Sequence, residues 1–416
     1  MNEHINSSLT KTPYHKECAV LRLPSPPDPW KATEWYRSTI AGVPFLLRNI
    51  LTLQRCGLHD IIVYMDTQDL KSLEILVGQD FRITSNVHWV SNPEKLKETL
   101  KNLKSRVLLF IGSALHDKKE VNSVLDKTGT KNSKSPESLD LNHEQLESLV
   151  DKIQTNAKEE HEHFTEDQQT FLSIPGPAKD HILEHNDFNI LHEQLLKGSG
   201  QNHDSTITRL LSRPVSRKLS RFFLNKPISP NQITLLSFVM GLLAAFCFFQ
   251  GTYQANVYGG ILLVFSTWVD GVDGEIARLK FMESELGGKL DILCDNIVHF
   301  LVFGAIGWGM SKATGEQLYI YFGILAAFAS LTSFFLLGSS IVNKSSGDYK
   351  PSSKSQPSLA DKLANRDFIH FLMLTTVFDL VHIFISIAAV GATIFATYLI
   401  YIRSMELYSV KCPERS

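Results

Sequence analysis

Between positions 270 and 295 the chain reads D-G-V-D-G-E-I-A-R, then eight residues, then G-G-K-L-D-I-L-C-D. Asp270, Asp273, Asp291, Asp295 and Arg278 therefore fall in the most apolar half of the sequence, where charge is costly and marks function. On an α-helix Asp270, Asp273 and Ala277 share one stripe, spaced three and four apart. Gly287, Asp291 and Asp295 share a second, spaced by four. Two helices meeting along these stripes would gather four carboxylates around one point. Such a cluster repels itself or titrates to neutrality unless it holds one or two Mg²⁺ or Mn²⁺ ions. With them it is a hard oxygen-ligand site suited to phosphates.

The elements that must carry these residues are membrane spans. From position 233 the sequence is mostly apolar in blocks of about 20 residues, the length that crosses a bilayer core. Six spans are expected, at 233–251, 256–279, 288–310, 317–340, 367–384 and 386–404. Asp379 and His382 interrupt the apolar run near the junction of the last two, so five spans with one re-entrant segment is the alternative. Basic residues set the orientation. Arg209, Arg213, Arg217, Lys218, Arg221 and Lys226 precede the first span; Lys344, Lys350, Lys354, Lys362 and Arg366 fill the loop after the fourth; Arg403 and Lys411 follow the sixth. The short loops at 252–255 and 311–316 carry only Lys312. Both termini, and the aspartates, are thus expected on the cytoplasmic side, within reach of a water-soluble nucleotide. Residues 206–226 interleave Leu and Phe with Arg at helical spacing, as in a helix lying among lipid headgroups, with Asn231 as a cap for the first span.

The chain has 416 residues and a net charge of −2, which excludes a nucleic-acid-binding polycation. Met1 to Lys16 is polar, without the apolar core of a signal peptide. The five cysteines are odd in number and scattered, with neither disulfide nor zinc spacing.

The pattern Asp270-x2-Asp273-Gly274-x2-Ala277-Arg278-x8-Gly287-x3-Asp291-x3-Asp295 resembles the signature of the CDP-alcohol phosphotransferases, with no departure at a fixed position. S-P-N-Q-I-T-L-L-S (229–237) is similar to that family's entry into its first span, and the resemblance covers roughly residues 206–405. It implies a six-helix integral-membrane enzyme, usually a homodimer, that cleaves the pyrophosphate of a CDP-alcohol, joins the phosphoryl-alcohol to an acceptor alcohol and releases CMP. It further implies that Asp270, Asp273, Asp291 and Asp295 hold two divalent metals, and that Asp295 is the general base. By the same carry-over Gly274 and Ala277 leave room for the nucleotide, Gly287 belongs to the nucleotide site, and Arg278 pairs with the phosphates. The chemistry agrees: displacement at a pyrophosphate builds charge that metals and a bidentate arginine neutralise, and an alcohol needs a base at neutral pH. Lys280 and Lys289 flank the motif as binders of phosphate or lipid headgroups, or as ordinary edge lysines; Cys294 is read as packing. A divalent-cation transporter, or an inactive membrane scaffold for the soluble part, are the competing functions.

Residues 18–115 alternate strand and helix signals: strands at 18–23, 60–65, 87–90 and 107–112, with an amphipathic helix at 44–57. The alternation indicates a parallel, doubly wound sheet. Residues 40–64 resemble the sugar-nucleotidyltransferases, over about 100 residues. Such domains are fused to CDP-alcohol phosphotransferases in bifunctional enzymes of di-inositol phosphate synthesis. This copy departs where catalysis would occur. P-S-P-P-D-P-W-K (24–31) replaces a glycine-rich phosphate loop, and its prolines remove N–H donors. I-G-S-A-L (111–115) offers Ser113 where a metal-binding aspartate is usual. A degenerate domain with a binding or dimerising role is expected. Residues 117–170 read as a polar insertion or partly disordered arm, and His161, His163, His181, His185 and His192 as surface residues. The expectation is an α-helical integral membrane protein, a six-helix bundle at 206–416. An N-terminal cytosolic α/β nucleotidyltransferase-like domain occupies 1–205, its polar insertion and linker at about 117–205. Its partners are membrane lipids, a CDP-alcohol donor and an acceptor alcohol, with no nucleic acid.

Overall fold

The computed structural model describes residues 17–67, 69–127, 143–155, 171–174, 176–199, 212–345 and 368–411. The chain divides into two compact units, one up to Leu195 and one from Leu196 onward, ten residues before the expected junction.

In the first unit the order is β1 (Glu17–Arg22), α1 (Ala32–Arg37), β2 (Thr39–Ile40), β3 (Val43–Pro44), α2 (Phe45–Arg55), β4 (Asp60–Tyr64), α3 (Asp69–Val77) and β5 (Asn86–Val90). It continues with α4 (Pro93–Leu103), β6 (Arg106–Ile111), α5 (Lys118–Lys127), α6 (His143–Thr155), β7 (Phe171–Ile174) and α7 (His185–Gly198). Five strands form one parallel sheet in the order β5-β4-β1-β6-β7, and β2 and β3 form a small hairpin. The apolar runs of β1, β4 and β6 are buried on both faces, as a parallel sheet requires. The sheet and the helix expected at 44–57, observed as Phe45–Arg55, match the sequence expectation. The polar segment 117–170 does not behave as one arm: α5 and α6 form within it. Leu146, Leu149, Val150 and Ile153 of α6 lie at helical spacing and pack with Leu96 and Leu100 of α4 onto the sheet. That stripe is diluted by charged neighbours, which hid it. The remainder of that segment, with His161 and His163, lies outside the described residues.

The second unit is helical: α8 (Arg213–Leu224), α9 (Pro230–Gln250), α10 (Tyr253–Lys280), α11 (Glu285–Thr314), α12 (Leu318–Ser345), α13 (Phe368–Val377) and α14 (Val381–Lys411). Five of these helices, α9 to α12 and α14, are long and apolar enough to cross a membrane, so this is an integral membrane protein. Large apolar side chains such as Phe246, Tyr258, Phe335 and Ile394 are exposed on them, the surface a bilayer covers. The fifth expected span, 367–384, is not one helix. The ten-residue α13 ends at Val377, the chain turns through Asp379 in the left-handed region (φ 57°), and α14 begins at Val381. The charge at Asp379 breaks the apolar run at the point the sequence marked as insecure. The basic residues Lys350, Lys354, Lys362 and Arg366 lie outside the described residues.

The cap of the first span is Ser229 and not Asn231. Ser229 Oγ accepts from the Gln232 amide and Gln232 Oε1 accepts from the Ser229 amide at 2.9 Å, a capping box with Pro230 in the first turn. Residues 206–211 are outside the described residues, but α8 has the expected amphipathic form. Ser216, Ser220 and Phe223 are buried while Arg217, Lys218, Arg221 and Phe222 are exposed.

Candidate active site

The motif residues occupy the last part of α10 and the first part of α11. The connection between the two helices is short. Phe281 ends α10 in the left-handed conformation (φ 57°), with Met282 N donating to the Ala277 carbonyl at 2.8 Å. Ser284 then caps α11, its Oγ accepting from Gly287 N at 3.0 Å. Both helices pack along α9 and touch one another little, so their acidic stripes face across a gap and not through an interface.

Across that gap Asp270, Asp291 and Asp295 each present a carboxylate oxygen, all within 4.8 Å of one another. Such spacing suits oxygen ligands around a hard divalent cation, whose bonds to oxygen are about 2.0–2.6 Å. The structure brings together three of the four expected acids. Asp273 is committed elsewhere: Thr234 Oγ1 of α9 donates to its Oδ2, and the Gly274 amide donates to its Oδ1. Ser237, one turn along α9, donates to the Thr234 carbonyl at 2.8 Å and reaches Asp270 Oδ1 at 3.4 Å. Asp270 and Asp273 are both buried.

Gly274 lies half-buried one turn before Arg278. A Cβ there would meet the Arg278 guanidinium at 3.3 Å and no other group closer than 4 Å. Helix packing therefore does not demand this glycine. Gly287 is different, because a Cβ would stand 2.8 Å from Ser284 Oγ and 2.9 Å from Asn231 Oδ1. That glycine lets the start of α11 approach the start of α9. Arg278 Nη2 donates to the Ser199 carbonyl at 3.3 Å, and Ala277 is half-buried beside it. Lys280 is buried and donates to the Lys226 carbonyl at 2.9 Å, while the exposed Lys289 pairs with Glu285 at 2.6 Å.

Residues 227–400 match the family model described as CDP-alcohol phosphatidyltransferase. That match lies wholly within the membrane half of the chain. Among curated relatives, the "Bifunctional IPC transferase and DIPP synthase" of Archaeoglobus fulgidus is 35% identical over 36% of this chain and 29% of its own length. The archaetidylinositol phosphate synthase of Pyrococcus horikoshii is 30% identical over 25% of this chain and 54% of its own length. The match thus spans about a third to a half of these relatives. Among solved structures, the phosphatidylinositol phosphate synthase of Mycobacterium tuberculosis with CDP-DAG bound is 16% identical. It covers 45% of this chain and 92% of that one, with a TM-score of 0.36.

Sequence reasoning missed several residues of the membrane half. Thr234 lies 39 residues before its partner Asp273, and nothing local links them. Glu275, inside the motif, is 1% exposed and forms an ion pair with Arg213 of α8, while Ser220 Oγ donates to its second oxygen at 2.6 Å. His299 continues the Asp291–Asp295 stripe by four more residues, a spacing that was readable.

In the first unit the carboxyl ends of β1 and β6 flank the point where the strand order reverses, the usual ligand crevice of such sheets. Here it is closed. Gly112 N donates to the Arg22 carbonyl at 2.6 Å, and a Cβ on Gly112 would meet Leu23 at 2.5 Å. Tyr36 OH donates to the Pro24 carbonyl at 2.6 Å, which pins the proline-rich loop at its start. The Ser113 carbonyl accepts from Ile182 N at 2.8 Å. Of the histidines expected at the surface, His185 is exposed, and His181 and His192 are half-buried. His181 bridges to Ala114, His185 stacks on Trp30 at 4.4 Å, and His192 Nδ1 accepts from the Ala41 amide at 3.2 Å.

Proposed function

We propose that this protein is a membrane CDP-alcohol phosphotransferase. It moves the phosphoryl-alcohol group of a CDP-alcohol to an acceptor hydroxyl and releases CMP, in phospholipid or polar-headgroup synthesis. The observation that carries this reading is the convergence of Asp270, Asp291 and Asp295 within 4.8 Å, inside the part of the chain that matches the family. When bound, one or two Mg²⁺ or Mn²⁺ ions supply charge neutralisation at the pyrophosphate. Asp270, Asp291 and Asp295 hold them. Asp273, bonded to Thr234, completes the acidic wall and would be the fourth ligand.

Gly274 leaves the nucleotide a close approach to α10, alongside Ala277, and Gly287 fixes the start of α11 against α9. Arg278 exchanges the Ser199 carbonyl for phosphate oxygens. Asp295 accepts the proton of the acceptor hydroxyl. The acceptor oxygen then bonds to the phosphorus that carries the donor alcohol, the bridging P–O bond breaks, and CMP leaves with the bridging oxygen.

The site faces the cytoplasm, α13 belongs to a sixth span, and two copies pair in the membrane. The name of the Pyrococcus horikoshii relative favours an inositol phosphate or similar polyol phosphate as acceptor, with CDP-diacylglycerol or a CDP-polyol as donor. The first unit is an eroded nucleotidyltransferase that binds or dimerises without transferring nucleotides, a reading supported by the proline-rich loop 24–31 and by Ser113. A cation transporter is disfavoured because the acids lie inside the region that matches a phosphotransferase family model. The test is CMP release from CDP-diacylglycerol or CDP-inositol with Mg²⁺ or Mn²⁺ present. Release is expected from the wild type, and its absence with both donors would sink the reading.

A further inference from the structure

One helical turn beyond the carboxylates, away from the α10–α11 connection, the second unit contains a small cavity. Asp270, Asp295, Ser237, Ser266, Thr267 and His299 supply its polar lining. Their positions follow from the helices. Ser266 and Thr267 precede Asp270 by one turn of α10, and His299 follows Asp295 by one turn of α11.

The hydroxyl protons in this lining are already used. Ser237 Oγ donates to the Thr234 carbonyl at 2.8 Å, Ser266 Oγ to the Ser237 carbonyl at 2.7 Å, and Thr267 Oγ1 to the Leu263 carbonyl at 3.0 Å. What these side chains offer to the cavity is lone pairs. Beside the two carboxylates, the walls hold no lysine or arginine and offer hydrogen-bond acceptors. A phosphate, which needs donors, finds none in these hydroxyls, whereas an alcohol O–H finds acceptors. His299 differs from the others, since its ring can donate from one nitrogen and accept at the other. Phe368 holds it edge-on, with ring centroids 5.3 Å apart at 69°.

We infer that this cavity receives the hydroxyl end of the acceptor alcohol, and that His299 hydrogen-bonds it and so selects which alcohol reaches Asp295. The inference rests on the phosphotransferase reading and names the part of the acceptor bound there: an uncharged hydroxyl-bearing carbon, any phosphate staying outside. Polar sites of this kind discriminate strongly, because a misfitting alcohol leaves buried groups unpaired.

The test compares the full-length wild type with His299→Leu, His299→Gln and Thr267→Val in lipid nanodiscs. CMP release from CDP-diacylglycerol is followed with inositol 1-phosphate and, separately, sn-glycerol 3-phosphate as acceptors. His299→Leu should raise the acceptor KM about tenfold, the worth of one hydrogen bond, with the donor KM within about twofold. His299→Gln should recover most of that loss, and the isosteric Thr267→Val should raise the acceptor KM by roughly threefold or more. Donor and acceptor KM moving together, or neither moving in His299→Leu and Thr267→Val, would overturn the inference while leaving the reaction assigned. No CMP release by the wild type with either acceptor, from CDP-diacylglycerol or from CDP-inositol, would overturn the reaction itself, and this inference with it.

Discussion

Replacing Glu275 by glutamine removes the carboxylate that ties α8 to the motif helix while preserving shape. Glu275 is 1% exposed; one oxygen receives Arg213 and the other receives Ser220 Oγ at 2.6 Å. Glutamine can accept from one of them only and presents an N–H₂ to the other, so Arg213 loses its counter-charge. Removing one partner of a buried ion pair costs about 3–5 kcal/mol, and two charge-assisted hydrogen bonds at about 1.5–3 kcal/mol each give a similar total. The Arg213 side chain is 12% exposed and can recover some hydration, which places the expected cost near the lower end, about 3 kcal/mol. Denaturant unfolding of the detergent-solubilised protein, followed by helical circular dichroism, measures it. A double-mutant cycle with Arg213→Met and Glu275→Met isolates the pair. The two single losses should exceed the double loss by about 2 kcal/mol. A cost for Glu275→Gln below about 1 kcal/mol, together with a coupling within about 0.5 kcal/mol of zero, would refute the docking of α8 on α10 through this pair.

Gly274→Ala should leave unfolding free energy within about 1 kcal/mol of wild type, since its Cβ would meet only the mobile end of Arg278. The same variant should raise the KM for the CDP-alcohol, measured by CMP release, because that space is reserved for the nucleotide. The first unit should lose stability in acid. Burial of His116 lowers its imidazole to about 4, so the unfolded chain binds the proton first. Stability from this group is complete above about pH 6.5, the unfolded value, and falls as pH drops toward 4, by up to about 3 kcal/mol. Emission from the buried Trp35 reports that unfolding, and His116→Gln should flatten the dependence.

The strongest sequence signals were those whose partners lie close in the chain or repeat with the helical period. Asp270, Asp291 and Asp295 sit on stripes that the 3.6-residue period makes visible, and their placement at a short helix–helix connection followed from the span boundaries. The strands β1, β4 and β6 were legible because buried parallel strands read as unbroken apolar runs. The divergence of Asp273 from the cluster was hidden, because it depends on Thr234 in a different helix. Glu275 looked like one more polar position within a motif, whereas packing made it the anchor of α8. The stripe of α6 was masked by Glu, Asp and Lys between its apolar positions. The break at Asp379 was visible as a charge in an apolar run, but whether it ended a span or bent one depended on the turn conformation.

The central claim is that Asp295 takes a proton in a CMP-releasing transfer. The most direct measurement is the rate of CMP release from CDP-diacylglycerol with inositol 1-phosphate and Mg²⁺, for wild type and for Asp295→Asn. Asparagine preserves the shape but cannot accept the proton, so the rate should fall by about 100-fold or more, the usual worth of a positioned base. An Asp295→Asn protein that releases CMP at the wild-type rate would contradict the account.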